Sequence, residues 1–187
     1  MLNSLYKFIH YAGMLKRTHR RGWLMHGLPA ESVADHTFRV SVLAMIITDI
    51  VREEGTAVDT ETVLRMSLIH DLPEALIGDM DRGATDIVGE DLKLEFENKA
   101  LTKILDNLSK GLQESYEKTW KEHAAGITRE SKIVKAADKL ETIIQAHELT
   151  SVGYSRKFLD ELLANTETWE KELPKDLQEL LKEIKVK

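Results

Sequence analysis

Apolar residues recur at intervals of three and four along almost the whole chain, and strand-type alternation never lasts more than a few residues. A period near 3.6 gathers such residues on one helix face, so the pattern restricts the fold to packed amphipathic helices. Leu5, Phe8, Ile9, Ala12 and Leu15 form the first face. Ser32 and Asp35 have capping-box spacing and predict a second helix from Ser32 to about Glu54, stopped by Gly55. A third fits Asp59 to Leu72, where Pro73 forces a break or a new first turn. Residues 78–90 hold three glycines and four acidic residues and read as a loop. Helices resume over 90–110, 112–124, 129–150, 155–170 and, after Pro174, 174–186. The expectation is one all-α domain over 1–187, a helical bundle whose residues 155–187 form a C-terminal helical appendage.

A chain of 187 residues can bury about two-thirds of its unfolded surface. Hydrophobic residues at 42% and charged residues at 31% suit an ordinary globular chain, and a net charge of −6 argues against a broad nucleic-acid-binding surface. The absence of cysteine excludes disulfides, zinc fingers and thiol nucleophiles. The N-terminal stretch MLNSLYKFIHYAGML lacks the marks of a signal peptide, and the longest apolar run, Val40 to Ile47, is too short to cross a bilayer. The expected location is the cytoplasm, with no membrane partner.

Against this background the stretch SLIHDLPEALIGD, residues 67–79, is anomalous. It sets polar groups on packed faces, which costs free energy unless something satisfies them. His70 shares a face with Val63, Met66 and Ser67; Asp71 lies about 100° further round, beside Leu64 and Leu68, so both can reach one inward point. In the second helix His36 lies on the stripe of Val40, Leu43, Ile47 and Ile50. In the 129–150 helix Asp138 edges the stripe of Ile133, Ala137, Leu140 and Ile144, between Val134 and Glu141. Together these give H-x33-H-D-x66-D over three helices. Two imidazoles and two carboxylates suit one divalent transition ion, and a four-ligand set leaves open positions for hydrolytic chemistry. Each residue alone also has a plain structural explanation: a core-facing histidine is more often just hydrogen-bonded, and Asp138 could be a surface charge at a helix seam. The adjacent His70–Asp71 pair is more pointed, because burying both without a cation is costly.

Further candidates surround this set. Glu74 lies three and four residues beyond Asp71 and His70, so one helical turn can aim it at the same point. Gly78–Asp79 opens the glycine-rich loop. The run KRTHRR, residues 16–21, concentrates positive charge and suits a phosphate-bearing ligand, although such runs are usually solvated helix ends. Trp23 follows it.

In the stretches GWLMHGLPAESVADH (22–36), LIHDLPEALIGD (68–79) and IVKAADKLE (133–141), the chain resembles the HD-domain metal-dependent phosphohydrolases. It resembles most the 5′-deoxynucleotidase branch of the YfbR and HD-domain-containing-protein-2 type. The resemblance implies an HD-domain helical bundle with His36, His70, Asp71 and Asp138 as metal ligands. The ion would be manganese, cobalt, zinc, iron or nickel. It implies Glu74 as general acid/base, and Asp79 as a contact to substrate or to a second ion near Glu74. It implies a homodimer that hydrolyses deoxyribonucleoside 5′-monophosphates. The branch sets an Arg-Trp pair against the nucleotide; here Gly22 precedes Trp23, so Arg21 is the expected phosphate contact, Arg17 the second choice, and Trp23 a wall against sugar or base. A different HD phosphohydrolase, or a metal-containing regulatory module without turnover, is the competing reading. His10, His19, His26, His123 and His147 receive no role, and Trp120 and Trp169 are expected to pack.

Overall fold

The computed structural model describes residues 2–166 and 169–186. Among these the regular structure is helical, apart from one isolated antiparallel bridge between His19 and Ser32. The helices are α1 (Leu2–Met14), α2 (Arg21–Met25), α3 (Val33–Glu53), α4 (Thr60–Ile69), α5 (Glu74–Ile77), α6 (Arg82–Val88), α7 (Glu90–Leu105), α8 (Lys110–Ala125), α9 (Arg129–Ser151), α10 (Lys157–Leu163) and α11 (Lys175–Val186), with a 3₁₀ turn at Glu170–Glu172 before the last.

Local chemistry sets the ends that matter for the site. Ser32 and Asp35 close the expected capping box, each side chain accepting the other residue's backbone N–H, and so fix where α3 begins and how His36 enters the core. Asp59 caps α4 by accepting the Thr62 N–H. The third helix ends earlier than expected, at Ile69. His70 to Pro73 form a turn, and Glu74 opens the short α5. Within the expected loop, Asp81 accepts the Ala84 N–H and nucleates α6. Its flanking glycines, Gly78 and Gly89, both take positive φ, which ends the helix before and starts the helix after. The expected 155–170 helix stops at Leu163.

α3, α4 and α9 form the central layer, and Val40, Ile47, Met66, Val134 and Leu140 are essentially sealed from solvent between them. Leu159, Trp169, Leu177 and Leu181 of the C-terminal region join the same apolar cluster. A second cluster, with Leu15, Val33, Leu101, Ile104 and Trp120, packs on the other side of the turn that carries His70. α1 departs from its expected face: Leu15 is buried, whereas Leu5 and Ile9 are exposed. No helix of the described residues is long and apolar enough to cross a membrane.

Candidate metal centre and active site

α3, α9 and the turn after α4 bring four of the anticipated side chains together. His36 Nε2 lies 3.1 Å from Asp138 Oδ1 and 3.7 Å from Asp71 Oδ2. His70 Nε2 lies 3.2 Å from the same Asp71 oxygen. One ligand atom each from His36, His70 and Asp71 fits within a 4.8 Å span. His36 Nε2, His70 Nε2 and Asp71 Oδ2 are all buried without a hydrogen-bond partner among the described residues. Buried polar atoms are rarely left so, and three that converge on one point define a hole for a cation. The residues therefore fit a divalent metal ion.

The outer nitrogens are fixed. His36 Nδ1 donates to Glu141 Oε2 at 2.6 Å, and His70 Nδ1 to the Ser67 carbonyl at 2.6 Å. Each bond leaves the Nε2 lone pair facing inward, the arrangement of metal-binding imidazoles. Glu141 is completely buried and lies 3.4 Å from Arg39 Nε; Arg39 in turn holds Gln145 and Glu148. The Trp120 indole N–H donates to the His70 carbonyl at 2.9 Å and pins the turn.

Without a metal, charge is balanced by protons. Burial and Arg20 work against a proton on His36, but the Asp138 and Glu141 carboxylates outweigh them and push its pKa up to about 9. Lost solvation opposes charge on Asp71 and Asp138, yet the imidazoles and Arg20 hold both well below the usual carboxylate range. Glu74 goes the other way. It is buried at the head of α5, and burial, then Asp71, then Asp79, raise its carboxyl well above the ordinary value.

The expected substrate contacts fall differently. Arg21 and Arg17 are exposed. Arg21 meets the site through its backbone, whose N–H donates to Asp79 Oδ2. The cation that reaches the cluster is Arg20: its Nη1 is 3.8 Å from Asp71 Oδ2 and 3.9 Å from Asp138 Oδ1, and its Nη2 donates to Thr142 Oγ1 at 3.0 Å. The cause is the bridge between His19 and Ser32. It makes the chain extended there, with the Arg20 N–H bonded to the Glu31 carbonyl, so alternate side chains point in and out. Trp23, expected as a wall, is instead sealed in the core at 1% exposure. Its ring packs edge-on against Phe158, and its N–H donates to Glu31 at 3.1 Å. Through Glu31 it supports the segment that carries Arg20. Sequence reasoning thus missed Arg20, Thr142 and Glu141. An acidic residue one turn beyond Asp138 and facing the same core was the available signal for Glu141.

An all-helical bundle with paired imidazoles and carboxylates between α3, the α4–α5 turn and α9 is the architecture of the HD-domain class. The HD domain family profile matches residues 12–181, and the chain belongs to that family. It is 34% identical over 167 residues to 5′-deoxynucleotidase HDDC2 of Danio rerio, covering 89% of this chain and 80% of that one. A conserved hypothetical protein from Pyrococcus furiosus has the same fold with a TM-score of 0.81 at 35% identity, over 96% of this chain and 98% of that chain. The structure of a "Predicted metal-dependent phosphohydrolase" from Magnetospirillum magnetotacticum matches with a TM-score of 0.71 at 26% identity, over 98% and 90% of the two chains.

Proposed function

We propose that this protein is a metal-dependent phosphomonoesterase that hydrolyses deoxyribonucleoside 5′-monophosphates to deoxynucleoside and phosphate. The observation that carries the reading is the convergence of partnerless His36 Nε2, His70 Nε2 and Asp71 Oδ2 beside Asp138, in a chain similar to a 5′-deoxynucleotidase. His36, His70, Asp71 and Asp138 hold one divalent ion, and manganese, cobalt, zinc, iron and nickel all suit the donor set. When bound, the ion supplies Lewis-acid polarisation of the phosphate and activation of water.

The chain's own groups supply the rest. Arg20, clamped by Thr142 and aimed at the cluster, neutralises the phosphate; Arg21 and Arg17 do not serve this role because their side chains face solvent. Asp79 fixes the turn that presents Arg20 by accepting the Arg21 N–H. Glu74, whose carboxyl is pushed well above its ordinary value by burial and the neighbouring carboxylates, gives a proton to the leaving 5′-oxygen.

Homodimerisation is assigned to the outer stripe of α3, where Phe38, Val42, Met45 and Ile46 are all exposed on one face. Val42→Glu should shift sedimentation from dimer to monomer; a wild-type monomer contradicts the assignment.

The function is tested by phosphate release from a panel of 5′-mononucleotides, deoxy and ribo, by metal-stripped protein with single ions restored. Metal-dependent release from the deoxy forms is expected. Metal binding with no release from any monophosphate overturns the reading.

A further inference from the structure

Two openings of opposite sign lead to the cluster of imidazoles and carboxylates. One, a cavity of about 540 Å³, has the Arg20 guanidinium at its inner end, and Asp138 is the single carboxylate among the described residues that line it. The other, of about 360 Å³, lies between α7, α8 and α9 and ends on His70 and Asp71. Glu90, Asp91, Glu97 and Asp138 also line it, against two lysines. We propose that this acidic mouth is the port through which the divalent cation enters and leaves the centre, with His123 as a transit ligand on the way. The inference rests on the metal-binding reading of the cluster and adds the route by which the ion arrives.

The charges sort the traffic. A guanidinium fixed at the inner end of the first opening repels a cation and draws an anion, whereas the carboxylates of the second do the reverse. The two lysines do not cancel them. Lys135 Nζ is turned to the Ala124 carbonyl, to which it donates at 3.1 Å. Lys93 Nζ lies 3.7 Å from Glu97, a long contact that an arriving cation can displace. A water's share of liquid volume is about 30 Å³, so the mouth admits a cation with its whole inner shell of water.

Burial deepens along the route. Glu90 and Asp91, at the start of α7, are exposed, and Glu97, two turns further along the helix, keeps 21% of its side chain exposed. Asp71 and His70 follow, with 19% and 2%. His70 Nε2 and Asp71 Oδ2 have no hydrogen-bond partner among the described residues, so the route ends on open donor atoms. His123 stands beside that end. Its ring is edge-on to the His70 ring with centroids 5.6 Å apart, and its Nδ1 is buried with no partner among the described residues. A histidine that only packs has its buried nitrogen hydrogen-bonded. The 4.8 Å span that gathers His36, His70 and Asp71 does not take in His123, which is therefore a neighbour of the centre and not a resident ligand.

The test is the rate of cobalt(II) uptake and release by the metal-free protein, followed by stopped flow against a chelating indicator, together with the equilibrium Kd. Entry and exit share one route, so a change confined to the port alters both rates by the same factor and leaves Kd in place. Glu90→Gln combined with Asp91→Asn, at two exposed positions, should slow uptake by about tenfold at low ionic strength, and the difference should close at high salt. His123→Leu should slow uptake and release alike by about tenfold, with Kd within about threefold of wild type. Unchanged uptake in the rim pair overturns the port, and unchanged rates in His123→Leu overturn the transit role. A Kd weakened by faster release in His123→Leu makes His123 a resident ligand and overturns that role as well. A wild type that binds no cobalt(II) overturns the port together with the metal reading. Cobalt(II) uptake without phosphate release from any monophosphate removes only the proposed reaction, and the rates still decide the port.

Discussion

His36 donates its Nδ1 proton to Glu141 across 2.6 Å, and that carboxylate has no exposure to solvent. The bond turns Nε2 toward Asp71 and Asp138 and makes the imidazole more basic toward a cation. Glu141→Gln keeps an oxygen that can accept but removes the charge. Metal affinity, measured by competition with a chelator, should fall by about tenfold, the lower end of what loss of such a partner costs. Unchanged affinity would show that Glu141 only packs.

Arg20 and Arg21 adjoin in sequence but differ in what they touch. Arg20→Ala removes the guanidinium facing Asp71 and Asp138 and should lower kcat/KM by about a hundredfold or more, the usual loss for one donor to a developing anion. Arg21→Ala keeps the backbone N–H that holds Asp79 and should stay within about threefold of wild type. Steady-state kinetics of both variants decide, and the reverse order would restore Arg21 as the phosphate contact.

These arginines show where a sequence stops being legible. Helical periodicity and the capping box located α3 almost to the residue, because both are local and repeat along the chain. The approach of His36 and His70 was readable because each shares a stripe with core residues, Val40 and Ile47 for one and Val63 and Met66 for the other. The orientation of Arg20 depends on a bridge to Ser32, a long-range pairing one residue wide, which no periodicity announces. Read as a helix end, KRTHRR gives no reason to single out Arg20, and the resemblance pointed to Arg21; as extended chain, it selects alternate residues. Trp23 failed for a related reason, since only the packing of Phe158 from α10 shows that its ring is enclosed. α6 was hidden by glycines that flank a helix rather than dissolve it.

The pH dependence of the metal-free protein has a definite sign. The His36 pKa is raised from 6.5 to about 9, so its contribution to folding is complete below about 6.5 and is lost as pH climbs through about 9. Glu74, also raised, acts in the same direction. Asp71 and Asp138 are lowered, and their contributions stay constant over this window. Thermal melts of metal-free protein should therefore move downward between pH 6.5 and 9. A metal ion needs His36 neutral, so binding should release a proton and tighten with pH by up to about tenfold per unit in the same window. A flat metal-free melting profile would remove the proton from His36.

Glu74 opens α5 with its carboxyl buried and Oε2 without a partner among the described residues. Burial, then the nearby charges of Asp71 and Asp79, raise its pKa well above that of an ordinary glutamate and so favour the protonated form. A carboxyl shifted in that direction can deliver a proton to a leaving alkoxide. Glu74→Gln preserves shape and a hydrogen-bond donor but has no proton to give. The fold should hold, because an amide of the same shape replaces a buried carboxyl, and metal content should stay at the wild-type level. Turnover should drop by about a hundredfold to ten-thousandfold, in kcat more than in KM. The loss should shrink for an ester whose leaving group is a good one, such as a nitrophenyl phosphate, since a nitrophenolate leaves without needing a proton. An equal loss on both substrates would place Glu74 on the water side of the reaction, and a loss of metal would make it a ligand.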